Sequence, residues 1–213
     1  MIKLLVTDFN YLLDKEEAIA VSTMLEIERI RKKGISFAVI TDKLYKEILD
    51  YNKDFPFLDY ILSLNCSCVY DVNNDKYLYK KKLNNSALNK LINLFSNYKM
   101  IFYTEDKAYK KIDDIKDKDI LQIEVVLNNK DLDILEDLNK INVNVKKISN
   151  NKKIHLYITA PKASKFLGID NISLKNNIAL RDVVLITDNE SDDKLFTNID
   201  IYKDNINDIL KKI

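Results

Sequence analysis

The sequence predicts an α/β fold in which a parallel, doubly wound sheet carries an inserted α+β lobe. Near both ends of the chain, short and continuous apolar runs alternate with amphipathic helical stretches. This pattern is typical of a parallel sheet that is buried by helices on both faces. The middle of the chain instead shows strands that alternate between apolar and polar residues, which indicates a sheet with one solvated face. We therefore expect a core domain at 1–71 and 159–213 and an inserted α+β domain at 72–158.

The first part of the predicted core domain follows the order strand, helix, strand, helix, strand. Ala20, Met24 and Ile27 recur at helical spacing, and Gly34 is placed to end their helix. The predicted elements are a strand at 2–7, a helix at 15–33, a strand at 35–40, a helix at 44–52 and a strand at 60–64. Such an order favours a parallel sheet, because parallel strands need a crossover connection.

The inserted lobe and the return to the core domain are predicted in the same way. Two helical stretches at 86–98 and 131–141 separate alternating strands, of which 154–158 is the clearest. Clusters of Asn and Lys at 73–76 and 150–153 are typical of loops or hinges. A buried strand at 183–187 and a short helix at 207–212 then complete the core domain.

The composition narrows the classes of function. With 34 basic and 33 acidic residues, the net charge of +1 gives no electrostatic reason to expect nucleic acid or an anionic membrane as the main partner. The N-terminal segment lacks the pattern of a signal peptide, and no apolar run is long enough to span a bilayer. We expect a soluble, cytoplasmic protein whose partner is a small molecule or another protein. The sequence carries no signal of oligomeric state.

Glycine and cysteine usage excludes further site types. The chain has 2 glycines, so neither a dinucleotide-binding G-x-G-x-x-G motif nor a phosphate-binding P-loop can be formed. Cys66 and Cys68 are too close together in an extended stretch for an ordinary disulfide, which suits a reducing compartment. A structural zinc site needs about four ligands, and the one histidine, His155, is distant in sequence.

Polar side chains follow three of the predicted buried strands. Asp8, Thr41 and Asp188 each stand at or just beyond a strand end, and Asp192 comes four residues after Asp188. In an open parallel sheet the ligand binds outside the carboxyl ends of the strands. We therefore expect these side chains to converge on one crevice.

Four segments of the chain carry a family resemblance. In the first, MIKLLVTDFNYLL, a hydrophobic strand ends in Asp8, and in the second, AVITDK, a strand ends in Thr41. The third is APKASKF, which carries Lys162 and Lys165. In the fourth, VVLITDNESDDKLF, a strand ends just before Asp188. In this order they resemble the four motifs of the haloacid dehalogenase (HAD) superfamily, and specifically its Cof-type phosphatases. The resemblance covers nearly the whole chain. It implies a HAD-like core sheet with an α+β cap of the C2 type.

The resemblance also implies an activity and site residues. It implies a magnesium-dependent phosphatase that acts on a small phosphorylated metabolite, with Asp8 as the nucleophile that forms an aspartyl-phosphate. Thr41 would bind a phosphoryl oxygen, and Lys165 would neutralise phosphate charge and orient Asp8, although Lys162 is an alternative for this role.

The metal site is implied by the resemblance as well. The Mg²⁺ ligands would be Asp8, the backbone carbonyl of Asn10, and Asp188, with Asp192 in support. Hard oxygen ligands with one or two carboxylates are what this ion prefers.

Departures from the family pattern leave two hypotheses. Asn10 stands where the family has a second aspartate, the general acid, so a factor of about 10² to 10⁴ in rate is at risk. Motif glycines are replaced by Tyr11, Asp42, Cys66, Phe166 and Thr187. The first hypothesis is a weakened phosphatase. The alternative is an inactive pseudophosphatase that acts as a ligand-binding or protein-interaction module.

Other residues have ordinary structural explanations. His155 lies in an alternating strand and is expected to be a surface or lobe-core residue rather than a general base. The basic run at 80–82 is expected to be solvated. Most tyrosines are expected to pack, and Tyr77 or Tyr79 is a candidate for substrate contact without a supporting motif.

Overall fold

The structure, a computed structural model, describes residues 1–14, 16–53, 55–150, 153–187, 198–203 and 206–213, with the side chains of 129 and 150 left aside. In chain order the strands are β1 (Leu4–Asp8), β2 (Ser36–Ile40), β3 (Tyr60–Ser63), β4 (Cys68–Asp71), β5 (Lys76–Lys80), β6 (Lys99–Tyr103), β7 (Ala108–Tyr109), β8 (Gln122–Asn128), β9 (Asn144–Asn150), β10 (Lys153–Thr159), β11 (Val183–Ile186) and β12 (Asp200–Tyr202). The α-helices are α1 (Val21–Lys32), α2 (Tyr45–Asn52), α3 (Asn85–Leu94), α4 (Ile134–Leu138), α5 (Lys165–Lys175) and α6 (Ile206–Lys212). Within these described ranges, the helices lack the length and apolar character needed to cross a membrane.

The strands form two sheets. The larger has the order β12-β11-β1-β2-β3-β4-β5, and the smaller has the order β7-β6-β8-β10-β9. We call the larger sheet with α1, α2, α5 and α6 the large lobe, and the smaller sheet with α3 and α4 the small lobe. Neighbouring strands from β12 to β3 are parallel, whereas β4 and β5 add an antiparallel edge. The predicted α/β fold class is therefore confirmed.

Both faces of the larger sheet are buried, which explains the continuous apolar runs. In β1, Leu5 belongs to the cluster that packs against α1, α2 and α6, while Leu4 and Val6 belong to the cluster that packs against α5. All three side chains have no exposed surface. Because successive residues of a strand point to opposite faces, helices on both sides demand an apolar residue at every position.

The smaller sheet is covered on one face only. Its strands are all antiparallel, and Ile123, Val125 and Leu127 of β8 pack into the cluster that also holds Leu91 of α3 and Leu138 of α4. Residues between them in sequence point to the opposite face. This alternation is the pattern that the sequence predicts for a one-sided sheet.

Several element bounds differ from the prediction. Helix α1 begins at Val21 rather than at 15, because Asp14 organises a loop in which its carboxylate accepts hydrogen bonds from the backbone N–H of Glu16 (2.8 Å) and of Ala18 (3.0 Å). The prediction also missed α5, and it missed β12 at the far edge of the larger sheet. Helix α4 is shorter than the predicted 131–141.

Strand β5 belongs to a different sheet from the one expected. Its residues 76–80 fall within the predicted inserted lobe at 72–158, yet β5 pairs with β4 in the larger sheet. The chain folds back there because β3, β4 and β5 form an antiparallel meander, and such hairpins need no crossover. From α3 to β10 the secondary structure belongs to the small lobe.

A partly buried ion pair connects α1 to the larger sheet. The Asp59 carboxylate accepts hydrogen bonds from Arg31 (2.8 and 3.2 Å), from the backbone N–H of Phe37 (2.8 Å) and from the Asn73 amide (2.9 Å). Asp59 is 7% exposed. These bonds join a helix, the start of β2 and the turn after β4.

Replacing Asp59 with Asn is expected to lower the free energy of unfolding by about 2 kcal/mol, because hydrogen bonds to a charged acceptor are lost and a new N–H group faces donors. Urea denaturation measures this change. The matched control is Asp50→Asn, whose exposed carboxylate contacts Lys53 and whose effect should stay within about 0.5 kcal/mol. Equal effects of the two variants would contradict the assignment of Asp59 as a structural carboxylate.

Candidate active site

A cavity of about 600 Å³ lies between the two lobes at the carboxyl ends of β1 and β2. The large lobe contributes residues from the ends of β1 and β2, from the turn after β3 and from the segment leading into α5, while the small lobe contributes β9 and β10. The lining residues are Asp8, Asn10, Tyr11, Ile40, Thr41, Asp42, Asn65, Cys66, Asn144, Val145, Lys146, Tyr157, Thr159, Ala163 and Lys165. Predicted site residues from three separate segments, Asp8 with Asn10, Thr41 and Lys165, are therefore brought together.

Asp8 is held through one of its two carboxylate oxygens. Its Oδ2 accepts a hydrogen bond from Lys165 Nζ at 2.9 Å and another from Thr187 Oγ1 at 2.7 Å. Within the described part of the chain, Oδ1 accepts no hydrogen bond. The side chain of Asp8 is 23% exposed and that of Lys165 18%. One oxygen is thus fixed by two hydrogen bonds, and the carboxylate borders the cavity.

The turn after Asp8 forms without a glycine. Residues Phe9–Leu12 make a short 3-10 helix, in which Phe9 is buried and its ring meets that of Tyr51 edge-on at 5.0 Å. Asn10 is exposed and lines the cavity, and the Tyr11 hydroxyl donates to the carbonyl of Lys203 (3.2 Å). Tyr11 replaces a family glycine here without adopting a positive φ.

Helix α5 positions Lys165, its first residue. Ser164 precedes it, and the Ser164 hydroxyl accepts a hydrogen bond from the backbone N–H of Leu167 (3.2 Å), an N-cap that fixes where the helix starts. Lys162 lies outside this helix, and its side chain does not line the cavity; its carbonyl accepts a bond from the Tyr79 hydroxyl. The geometry thus brings Lys165, and not Lys162, to Asp8.

Thr187 contacts Asp8, a role that the sequence alone does not reveal, because position 187 stands out there only as a lost motif glycine. The side chain is fully buried, and the backbone N–H donates to the carbonyl of Tyr202 (3.0 Å). Strand register holds the signal that could have found it: Thr7 pairs with Ile186 on β11, so the next residues, Asp8 and Thr187, are neighbours. A hydroxyl at this position can reach the carboxylate.

Replacing Thr187 with Val should lower the rate of any reaction that uses Asp8 as nucleophile by about tenfold, since one hydrogen bond that orients the carboxylate is lost. Thr187→Ser keeps the hydroxyl and should retain most of the rate. Turnover of a phosphate ester by the three proteins measures the difference. A Val variant as fast as wild type would show that Lys165 suffices to orient Asp8.

Thr41 and Asp42 form a second wall of the cavity. Thr41 is 5% exposed; its backbone N–H donates to Leu62 and its carbonyl accepts from Asn65, so the end of β2 is fixed against the turn after β3. The Thr41 hydroxyl accepts a bond from the backbone N–H of Lys43 (3.1 Å). Asp42 adds a carboxylate to this wall of the cavity.

The turn after β3 has an unusual backbone and joins the two lobes. Leu64, Asn65 and Cys66 all have positive φ, at 52°, 51° and 65°. The Asn65 amide donates to the Gln122 side chain (2.7 Å), whose own amide donates to the carbonyl of Asp42 (3.3 Å). Gln122 is fully buried. It therefore ties the small lobe to two loops that line the cavity.

The cysteines are structural. Both are free and buried, which agrees with the prediction that they do not pair. Burial raises the pKa of the Cys66 thiol to about 12, with the Lys165 charge opposing that rise. Cys66 lines the cavity but stays a thiol at neutral pH, so it is a poor nucleophile.

Two predicted metal ligands, Asp188 and Asp192, lie outside the described residues. Among residues that are described, no group of three or more His, Cys, Asp or Glu side chains could hold a metal ion. Asp8 and Asn10 do supply hard oxygen donors. The Asn10 carbonyl accepts one long bond from Leu13 N–H (3.3 Å), and a carbonyl oxygen has a second lone pair. This donor chemistry fits Mg²⁺.

The remaining predicted candidates lie away from the cavity. The hydroxyls of Tyr77 and Tyr79 donate to the carbonyls of Glu105 (3.4 Å) and Lys162 (3.1 Å), and neither residue lines the cavity. His155 pairs with Glu124 at 2.9 Å on the small lobe, consistent with a structural role. In the basic run, Lys80 and Lys82 form exposed ion pairs.

Comparison with known proteins identifies a family and one longer relative. Residues 11–118 match the family model of haloacid dehalogenase-like hydrolases. Over 156 residues the chain is 30% identical to a non-toxic nonhemagglutinin of Paraclostridium bifermentans, a match that covers 68% of this chain. It spans only 12% of that protein's length.

Solved structures share the fold over most or all of the chain. A haloacid dehalogenase-like hydrolase from B. subtilis is similar with a TM-score of 0.80 at 11% identity, covering 100% of both chains. One from Bacteroides thetaiotaomicron gives a TM-score of 0.79 at 14% identity, covering 100% of this chain and 99% of that one. A sugar phosphatase of HAD subclass IIB gives 0.75 at 18% identity, covering 92% and 85%. At these identities the likeness establishes the fold.

Proposed function

Because the chain belongs to the haloacid dehalogenase-like hydrolase family, we propose that it is a magnesium-dependent phosphatase that acts on a small phosphorylated metabolite through an aspartyl-phosphate. One observation carries the proposal: Lys165 Nζ lies 2.9 Å from Asp8 Oδ2 at the end of β1, the middle one of the five parallel strands. A cation that holds one carboxylate oxygen and faces a cavity is suited to phosphoryl transfer, where positioning and charge stabilisation supply most of the catalysis. The small lobe would act as the cap.

The proposed reaction begins with binding of the phosphoryl group between Thr41 and Lys165. Oδ1 of Asp8 attacks phosphorus, a bond forms between them, and the bond from phosphorus to the substrate oxygen breaks. Water then attacks the aspartyl-phosphate and releases inorganic phosphate, which restores the carboxylate. Lys165 and Thr187 keep Oδ2 out of the attack, so a single oxygen serves as the nucleophile.

The metal site would include Asp8, the Asn10 carbonyl, Asp188 and Asp192. Bound Mg²⁺ would neutralise charge on the transferring phosphoryl group. Asp8 and Asn10 are the part of this ligand set that lies in the described chain, and both offer oxygen donors that border the cavity.

Proton transfer is the weak step of this site. The leaving oxygen needs a proton and the attacking water must lose one, and an amide such as that of Asn10 can do neither. Water or substrate must supply this function, and a positioned acid or base contributes typically about 10² to 10⁴ in rate. We therefore propose a slow phosphatase.

A second candidate function is a ligand-binding or protein-interaction module that lacks catalysis. The observation that favours it is the pair of changes at the cavity, with Asn10 in place of an acid and the Asp42 carboxylate close to where a phosphate would bind. The longer relative from Paraclostridium bifermentans, whose name states no hydrolase activity, is consistent with this alternative.

Phosphate release from a panel of phosphorylated sugars and an aryl phosphate tests the proposal. Release should require Mg²⁺, should stop in EDTA and should return when Mg²⁺ is restored. Turnover that is insensitive to EDTA would overturn the metal assignment. No turnover of any ester with Mg²⁺, together with saturable binding of a phosphate ester, would favour the binding module.

A further inference from the structure

Lys146 is a cation of the small lobe that lines the same cavity as Asp8. It lies on the edge strand β9, directly across from Tyr157 of β10, and Asn144 lies across from Thr159 in the same register. Opposed residues of paired strands share a face. All four residues line the cavity, so this end of the sheet presents its uncovered face to the site.

The side-chain ammonium group of Lys146 forms neither an ion pair nor a hydrogen bond with the described residues. Lys165, in contrast, is paired with Asp8. Both lysines line the cavity together with Cys66, and the charges of Lys165 and of Lys146 both oppose the rise in the pKa of this buried thiol. The cavity thus has two cationic groups, one already neutralised by Asp8.

Asp42 is the acidic cavity residue whose negative charge Lys146 could compensate. Burial raises the pKa of the Tyr157 phenol to about 12, with Glu124 and then Asp42 adding to that rise. Tyr157 is the residue across from Lys146, so Asp42 acts on the cavity wall beside Lys146. If Lys146 only offset the charge of Asp42, its removal would affect all phosphate esters alike.

We propose that Lys146 binds a second anionic group of the substrate, so that the site accepts small metabolites carrying a phosphate ester and a further phosphate or carboxylate. This inference rests on the proposed function, in which Lys165 and Thr41 hold the transferred phosphoryl group. A cavity of about 600 Å³ is within the size range of small-molecule sites and has room for more than one phosphate. Asn144 is less available, because its amide donates to the carbonyl of Ala163 (2.6 Å).

The kinetic test compares three substrates of similar size: glucose 6-phosphate, fructose 1,6-bisphosphate and 6-phosphogluconate. Wild type should prefer the bisphosphate or the phosphorylated acid in kcat/KM, and the comparison of these two identifies the second anion. Lys146→Gln should lower kcat/KM by about tenfold for the preferred substrate and by less than about twofold for glucose 6-phosphate, since a charged hydrogen bond is lost only where a second anion exists.

Lys147→Gln is the matched control. Lys147 is the next residue on β9, is exposed and points to the opposite face, so its substitution removes the same charge from the lobe without touching the cavity. Its kinetics should match those of wild type. An equal loss in both variants, or a loss in Lys146→Gln that is the same for all three substrates, would overturn the proposal.

A binding measurement separates this inference from the proposed function. Calorimetric titration of each protein with fructose 1,6-bisphosphate and with glucose 6-phosphate in EDTA requires no turnover. Weaker binding of fructose 1,6-bisphosphate by Lys146→Gln, with unchanged binding of glucose 6-phosphate and no such change in Lys147→Gln, would support the second-anion site even if no ester is hydrolysed. Equal weakening of both ligands would refute it. Hydrolysis of simple phosphate esters with equal bisphosphate affinity in all three proteins would leave the phosphatase intact and refute the role of Lys146.

Discussion

Replacing Asp8 with Asn is expected to reduce magnesium-dependent phosphate release to background, a loss on the order of 10⁴-fold or more if the wild-type rate allows it to be measured. An amide is a poor nucleophile and carries no charge for the metal or for Lys165. The change is nearly isosteric, so the fold should persist, and the hydrogen bond from Thr187 Oγ1 can still be accepted by the amide oxygen. Initial rates at saturating Mg²⁺, with circular dichroism to verify folding, measure the effect.

Asp50→Asn is the control for this prediction, because it removes an exposed carboxylate from α2, away from the cavity. It should release phosphate as wild type does. If the Asp8 variant also did so, the activity would belong to another site or to a contaminating enzyme, and the proposed nucleophile would be wrong.

The part of the site that was predictable from sequence follows from strand topology. A buried strand that ends in a polar residue gives a recognisable pattern, and parallel strands place their carboxyl ends at one edge. Asp8 and Thr41 were identified in this way, and both line the cavity. Lys165 needed the family resemblance, since its own surroundings, the helix α5 and the Ser164 cap, were not predicted.

The contacts that were not predictable join residues far apart in sequence. Thr187 reaches Asp8 across the pairing of β1 with β11, and Gln122 joins the small lobe to Asn65 and Asp42. Neither residue has a local pattern that distinguishes it from other polar residues in strands. Their roles depend on strand register and on how the lobes meet, which composition and periodicity do not encode.

The scarcity of glycine has different consequences at different motif positions. At Cys66, where the family has glycine, the backbone keeps a φ of 65°, so the geometry persists at a cost of roughly 1 to 2 kcal/mol in local strain. At Tyr11 the chain instead forms a 3-10 helix with ordinary φ. At Thr187 the added side chain contributes a hydrogen bond to Asp8. At these three positions the loss of a motif glycine is therefore weak evidence of lost function, whereas Asp42 adds a negative charge to the cavity.

Replacing Asn10 with Asp is the reciprocal prediction, and it is expected to raise the rate of phosphate release by about 10² to 10⁴, the usual contribution of a positioned general acid and base. Asn10 follows Asp8 by two residues, is exposed and lines the cavity, so a carboxyl group of the same shape would border the leaving oxygen. Steady-state kcat for one substrate, compared among wild type, Asn10→Asp and Asn10→Ala, measures the effect. The Ala variant removes the amide without adding an acid, and its kcat should not exceed that of wild type.

A gain in kcat that is seen only in Asn10→Asp, and that is abolished when Asp8→Asn is added, would mean that the missing proton donor limits an otherwise assembled phosphatase. No gain, with wild type and Asp8→Asn equal, would mean that the site no longer performs phosphoryl transfer, and the cavity would then be studied for the ligand that it binds.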